Sequence, residues 1–185
     1  MQINWNELRD RAYKIAGAHG WYKENLSDEH FLMLVITEVS EAVQADRRGK
    51  LADTVGFNCA LDNLKNNQES FYKYAYLTCI SGSLQDELAD IVIRLLSLAG
   101  ARNIDISYTE DLIEQKYNWS SSFTVFAYEI CNSLTYHNDN LLVKIIYTIA
   151  DVYGWCRQHD IDLSFFIEHK MKYNELREYK HGVSY

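Results

Sequence analysis

The sequence predicts an all-α protein, a helical bundle, and three observations carry that prediction. The 185 residues include no proline, so no ring removes a backbone donor from a helix interior. Apolar residues recur at intervals of three and four through most of the chain, the period of an amphipathic helix. No stretch alternates polar and apolar residues for long enough to read as a strand.

The elements follow in order. Trp5, Leu8, Ala12 and Ile15 share one face of a first helix, which Gly17 and Gly20 loosen or end. Ser27 is placed to cap a second helix running to about Arg48, with Gly49 as its stop. Residues 51–80 hold one or two short helices. Ser83 caps a helix from Leu84 to about Arg102. Residues 103–121 form a connection with a single short helix. Helices are then expected at about 122–136, 140–158 and 163–180. The packing solution for such elements is a bundle around one core.

With 48% apolar residues the chain can bury a sizeable core. Its formal net charge of −8 argues against a nucleic-acid face, which needs clustered Lys and Arg. A small anionic substrate stays compatible, because bound Mg²⁺ reverses the local sign of an acidic site. No apolar run approaches a membrane span, and the N-terminus MQINWNELRDRAYK lacks the apolar stretch of a signal peptide. Cys59, Cys79, Cys131 and Cys156 are scattered with no Cys-x-x-Cys pair. Reduced, buried thiols, no zinc site and a cytoplasmic location are the expectation.

Two helices carry acids on stripes that are otherwise apolar. Glu38 and Glu41 lie three apart on the face that holds Phe31, Leu34 and Ala45; Glu87 and Asp90 repeat the spacing between Leu84 and Ile91. Four inward carboxylates repel one another unless a cation sits between them. Mg²⁺, a hard oxygen-seeking ion that also suits phosphates, is the natural candidate, with Mn²⁺ as a substitute. Either acidic pair alone would more often mark a solvated face. Arg94 reads most simply as the partner of Asp90, one turn away. Near the C-terminus, Lys170, Asn174 and Arg177 share a polar face, and His181 follows the helix end. Lys as a point charge, Arg as a fork and Asn as an oriented donor suit a triphosphate; alone, the same bases would simply complement a helix dipole.

Taken together, EVSEA, ELADIVIRLLSLAG and KMKYN-x-x-R-x-x-x-HG, with HGW ahead of the first acidic helix, resemble the MazG-like branch of the all-α nucleotide pyrophosphohydrolases. The resemblance covers about 1–50, 84–106 and 163–185. It implies that Glu38, Glu41, Glu87 and Asp90 bind Mg²⁺, and that Lys170, Asn174 and Arg177 contact phosphate or sugar. It also implies cleavage of a nucleoside triphosphate between the α and β phosphates, and a homo-oligomer, a dimer or tetramer. In that mechanism Glu38 or Glu41 orients or deprotonates the attacking water, and Lys170 and Arg177 stabilise the leaving pyrophosphate. Arg94, His181 and Trp21 complete the expected substrate contacts, Trp21 by stacking on the base. Two departures stand out: the long link 42–86 between the acidic pairs, and the insertion 107–162.

The expected organisation is one domain over 1–185: a metal-site half (1–106), an inserted half (107–162) and a substrate-binding C-terminal helix (163–185). The inserted half echoes the first. In that echo Glu129 stands at the place of Glu38, Asn132 at Glu41, Thr148 at Glu87 and Asp151 at Asp90, a degenerate duplication whose second site has lost two acids. Two rival functions compete. A carboxylate-bridged di-iron bundle needs two Glu-x-x-His motifs, and only Glu178/His181 matches. A non-catalytic helical oligomerisation or binding module would use the acids as interface ion pairs, with neither tight metal binding nor turnover.

Overall fold

Side-chain caps start the major helices where the sequence places them. In the computed structural model, which describes residues 3–62, 69–114, 119–136 and 140–178, Asn4 caps α1 (Trp5–Ala18) and Ser27 caps α2 (Asp28–Arg47). Ser83 caps α5 (Leu84–Ala101) and Asn140 caps α8 (Leu141–Gln158). Each accepts a hydrogen bond from the backbone N–H three residues on, satisfying one orphan donor. Between them lie α3 (Thr54–Asp62), α4 (Glu69–Cys79), α6 (Thr109–Glu114) and α7 (Phe123–Thr135), and α9 (Leu163–Glu175) closes the set. Among the described residues there is no strand. The all-α bundle expected from the sequence is what forms.

Helix α5 is the axis of the fold. Leu88, Val92, Leu95, Leu96 and Leu98 are wholly buried, because α1, α2, α8 and α9 all pack against this one helix. Helices α2 and α5 run antiparallel. Asp28 at the start of α2 pairs with Arg102 just past the end of α5 (Nε to Oδ1 2.7 Å), while Glu38 further along α2 meets Arg94. Helix α7 packs on α2 and α8, and α6 packs on α8. Helices α3 and α4 pack on each other, and α4 reaches α9.

Three expectations need correction. The last helix ends at Glu175 rather than about 180: the Leu176 N–H turns back to the Tyr173 and Asn174 carbonyls, tightening and closing the final turn. Arg177 therefore lies beyond the helix instead of one turn above Asn174. Of the four free thiols only Cys156 is buried, and Cys59 is exposed. Glu129 is exposed on α7, so it does not repeat the buried position of Glu38. Among the described residues no helix is long and apolar enough to cross a membrane.

Candidate metal centre

Helices α2 and α5 bring three of the four expected acids together. Carboxylate oxygens of Glu38, Glu41 and Glu87 all lie within 4.8 Å of one another. Glu38 and Glu87 are buried and Glu41 is exposed, so the cluster opens to solvent on one side. Glu38 accepts a hydrogen bond from Arg94 (Nε to Oε1 2.5 Å). The simple pairing of Arg94 with Asp90 along its own helix does not form; the guanidinium crosses to α2 instead.

Asp90 faces a different partner. The Lys170 ammonium from α9 lies 2.5 Å from Asp90 Oδ2 and 3.0 Å from Asp86 Oδ1. Lys170 is only 5% exposed. Burial by itself would lower its pKa, but the two carboxylates outweigh that and hold it above its ordinary value. Asp86 is also gripped by the Tyr76 hydroxyl and by the Gly82 N–H (2.8 Å). Gly82 has φ +70°, a left-handed conformation that glycine adopts without steric cost. A Cβ there would also press within 2.7 Å of Lys50 Nζ.

Repulsion within the cluster shows in Glu87. Burial first, then the negative charges of Asp90, Asp86 and Glu38, push its carboxyl up to about 8, against a partial pull from Lys170. Burial likewise pushes Asp90 up while Lys170 draws it back. A cation among Glu38, Glu41 and Glu87 would relieve this repulsion. The donors are all carboxylate oxygens, the set a hard divalent ion takes, and neither Cys nor His is among them.

The cluster sits at one end of a cavity of about 510 Å³, within the usual range for small-molecule sites. Its opposite end is aromatic. Tyr22 stacks on Phe31 (centroids 4.8 Å apart) and its hydroxyl meets Ser97 Oγ at 2.7 Å. Burial raises the Tyr22 hydroxyl to about 12, so it stays protonated. From Glu87 to Ser97 along α5 is ten residues, roughly 15 Å of helix rise. Between the two ends the Arg94 guanidinium lies 5.9 Å from the Trp21 ring centroid.

Every expected site residue within the described part of the chain lines this one cavity: the four acids, Arg94, Trp21, Lys170, Asn174 and Arg177. His181 lies outside the described residues. Asn174 is buried with its Oδ1 unpartnered, an acceptor that costs stability until a donor arrives. His19 fastens the end of α9, its ring nitrogens 2.8 Å from the Ile15 carbonyl and 3.0 Å from that of Arg177. Once Glu87 gives up its proton, five carboxylates face Lys170, Arg94 and Arg177 in the lining, a formal excess of two that one divalent cation would balance.

Sequence reasoning missed Asp86, Tyr76, Gly82 and Tyr22, and named His19 only within the HGW stretch. Asp86 is three residues past Ser83 and donates its N–H to that Ser Oγ (3.2 Å), so it reads as an ordinary first-turn acid. Tyr76 is carried by α4, whose position against α9 no local pattern reveals; its ring stacks on Tyr173 at 4.5 Å. Comparison of the chain with protein-family models, with curated proteins and with solved structures finds no match.

Proposed function

We propose that this protein is a Mg²⁺-dependent nucleotide pyrophosphohydrolase of the MazG-like kind, converting a nucleoside triphosphate to its monophosphate and pyrophosphate. The observation that carries the reading is the graded chemistry of a single groove. Three carboxylates within 4.8 Å lie at one end, cationic side chains line the walls, and an aromatic floor lies roughly 15 Å along α5, about the length of a nucleotide with its phosphate tail. A metal-bound phosphate chain suits the first end, and a stacked base suits the second.

Glu38, Glu41 and Glu87 would hold the cation. Asp90, in the same cavity but ion-paired with Lys170, is the fourth acid available. Bound Mg²⁺ supplies charge neutralisation on the phosphates and a lower pKa for a coordinated water. Glu41, the solvent-facing member of the cluster, is best placed to orient or deprotonate that water. Arg94 and Arg177, both in the cavity lining, would offset negative charge on the phosphates. Asn174 presents its unpartnered oxygen to a donor such as a sugar hydroxyl.

The test is a panel of common and damaged NTPs and dNTPs incubated with the full chain and MgCl₂, with products separated by ion-exchange chromatography. Monophosphate plus pyrophosphate from at least one substrate is the expected result. Diphosphate plus orthophosphate only, or no turnover of any member, would overturn the reading.

A further inference from the structure

Helices α5 and α8 each span 18 residues, begin at a leucine behind a polar cap and end alike. Asn103 and Asp160 both adopt left-handed φ (51° and 57°). Ile104 and Ile161 then donate back five residues, to the carbonyls of Ala99 and Cys156, each at 2.9 Å. Ile-Asp and an apolar residue follow in both cases. This cap-to-cap match sets the two helices 57 residues apart, and every buried residue of α8 then has a buried counterpart on α5. The echo drawn from sequence, which set Asp151 on Asp90, is thus shifted by one helical turn: Asp151 stands at Arg94, Lys144 at Glu87 and Tyr147 at Asp90.

The packing has the relations that a twofold axis generates. Helix α2 packs on α5 as α7 does on α8; α1 packs on α5 as α6 does on α8; and α2 meets α7 as α5 meets α8. Aligned from Ser27 and Ser122, buried Phe31, Leu32, Val35 and Val39 of α2 correspond to Phe126, Ala127, Ile130 and Leu134 of α7, all buried too.

In the first half Arg94 and Ser97 line the open cavity, with Trp21 beside Arg94. Their counterparts are Asp151 and Gly154, and here the tryptophan ahead of the cap is Trp119. Its indole N–H donates to Asp151 Oδ1 (3.1 Å). Its six-membered ring lies so close to Gly154 that a Cβ there would be 1.9 Å from Cη2. The Gln158 amide holds the Trp119 backbone at both its N–H (3.3 Å) and its carbonyl (3.2 Å).

We propose that the two halves are pseudo-twofold copies, and that Trp119 is a built-in plug occupying in the second half the place that the candidate cavity holds in the first. The plugged site has the chemistry for a planar aromatic heterocycle with one N–H donor: a glycine floor for the ring and a carboxylate for the donor. It has no acidic cluster, because Asp86, Glu87 and Asp90 correspond to Val143, Lys144 and Tyr147. Of the two related places, only the one in the first half is open. The proposal does not depend on what the open cavity binds.

Trp119→Ala in the full chain, followed by thermal unfolding with and without free indole, tests the plug. The melting temperature should fall by roughly 10 °C, and millimolar indole should recover several degrees by refilling the space. Trp21→Ala, measured in parallel, should shift far less and show no such recovery. An unchanged melting temperature in Trp119→Ala, or a loss that indole does not restore, overturns the plug. If the variant does not fold, a crystal structure of the parent chain decides. Superposing 84–106 on 141–163 should carry α2 onto α7 by a rotation within about 20° of a twofold, with the Trp119 ring on Gly154. A larger departure, or a ring turned to solvent, overturns the proposal.

Discussion

Arg94 on α5 closes on Glu38 of α2, Nε to Oε1 2.5 Å, and this pair is the link between the acidic end of the cavity and its aromatic end. Glu38 is 5% exposed, so its charge depends on a partner, either the guanidinium or a cation in the cluster. Arg94→Ala should destabilise the metal-free protein by about 1–2 kcal/mol, less than for a fully buried pair because the guanidinium is partly solvated. Excess MgCl₂ should recover most of that loss. Urea unfolding of parent and variant, with and without MgCl₂, measures both. A deficit that Mg²⁺ leaves untouched would show that no cation reaches Glu38.

Lys170 is the more heavily committed cation. Replacing it with Met leaves buried Asp86 and partly buried Asp90 without their shared cation. The expected cost is about 3–5 kcal/mol, the range for an uncompensated buried charge. Asp90→Asn in the Lys170→Met background should return part of it, because one of the two orphaned charges disappears. The double-mutant cycle in urea reads that coupling. Additive losses would mean that Lys170 and Asp90 do not act as a pair in solution.

Glu87 gives the metal-free protein a pH dependence of definite sign. Its carboxyl sits near 8 in the folded chain against 4.5 as the ordinary value. The folded state therefore holds this proton more tightly than the unfolded state. The contribution is fully present below about pH 4.5 and is lost as pH rises through 8. Urea midpoints collected across that window should fall with pH in the parent, and more steeply than in Glu87→Gln. Mg²⁺ must displace the same proton, so its affinity should rise over the same window. Equal slopes in parent and variant would remove Glu87 from the cluster.

The sequence made some parts of this site legible and hid others for identifiable reasons. The i, i+3 spacing put Glu38 with Glu41 and Glu87 with Asp90 on shared faces, and helical geometry alone carries that far. Which acids converge depends on the antiparallel crossing of α2 and α5, set by contacts such as Asp28 with Arg102 that no local pattern encodes. Lys170 reads as a solvent-facing phosphate ligand because its counterions lie some eighty residues away. Matching the internal echo acid to acid sets Asp151 on Asp90, whereas the proposed pairing by caps and buried positions sets it one turn away, on Arg94. The bounds of α2 and α5 match expectation because Ser27, Ser83 and Gly49 act within a few residues of the ends they set; the end of α9 lacks such a signal.

Glu41 offers the cleanest separation of chemistry from folding. It belongs to the cluster yet is exposed, so Glu41→Gln removes a charge without leaving a buried group unpartnered. Stability should stay within about 0.5 kcal/mol of the parent, as for most surface substitutions. Relief of repulsion on buried Glu38 and Glu87 would push in the favourable direction. Mg²⁺ binding, followed by calorimetry, should weaken by about tenfold or more, since one of three anionic ligands is gone. Any Mg²⁺-dependent turnover should fall further than binding does, because saturating metal cannot restore a carboxylate that orients water. Glu38→Gln, Glu87→Gln and Asp90→Asn should also depress turnover, but each changes a buried network, so their stabilities will move as well. If Glu41→Gln binds Mg²⁺ and turns over like the parent, the cluster is not the metal centre.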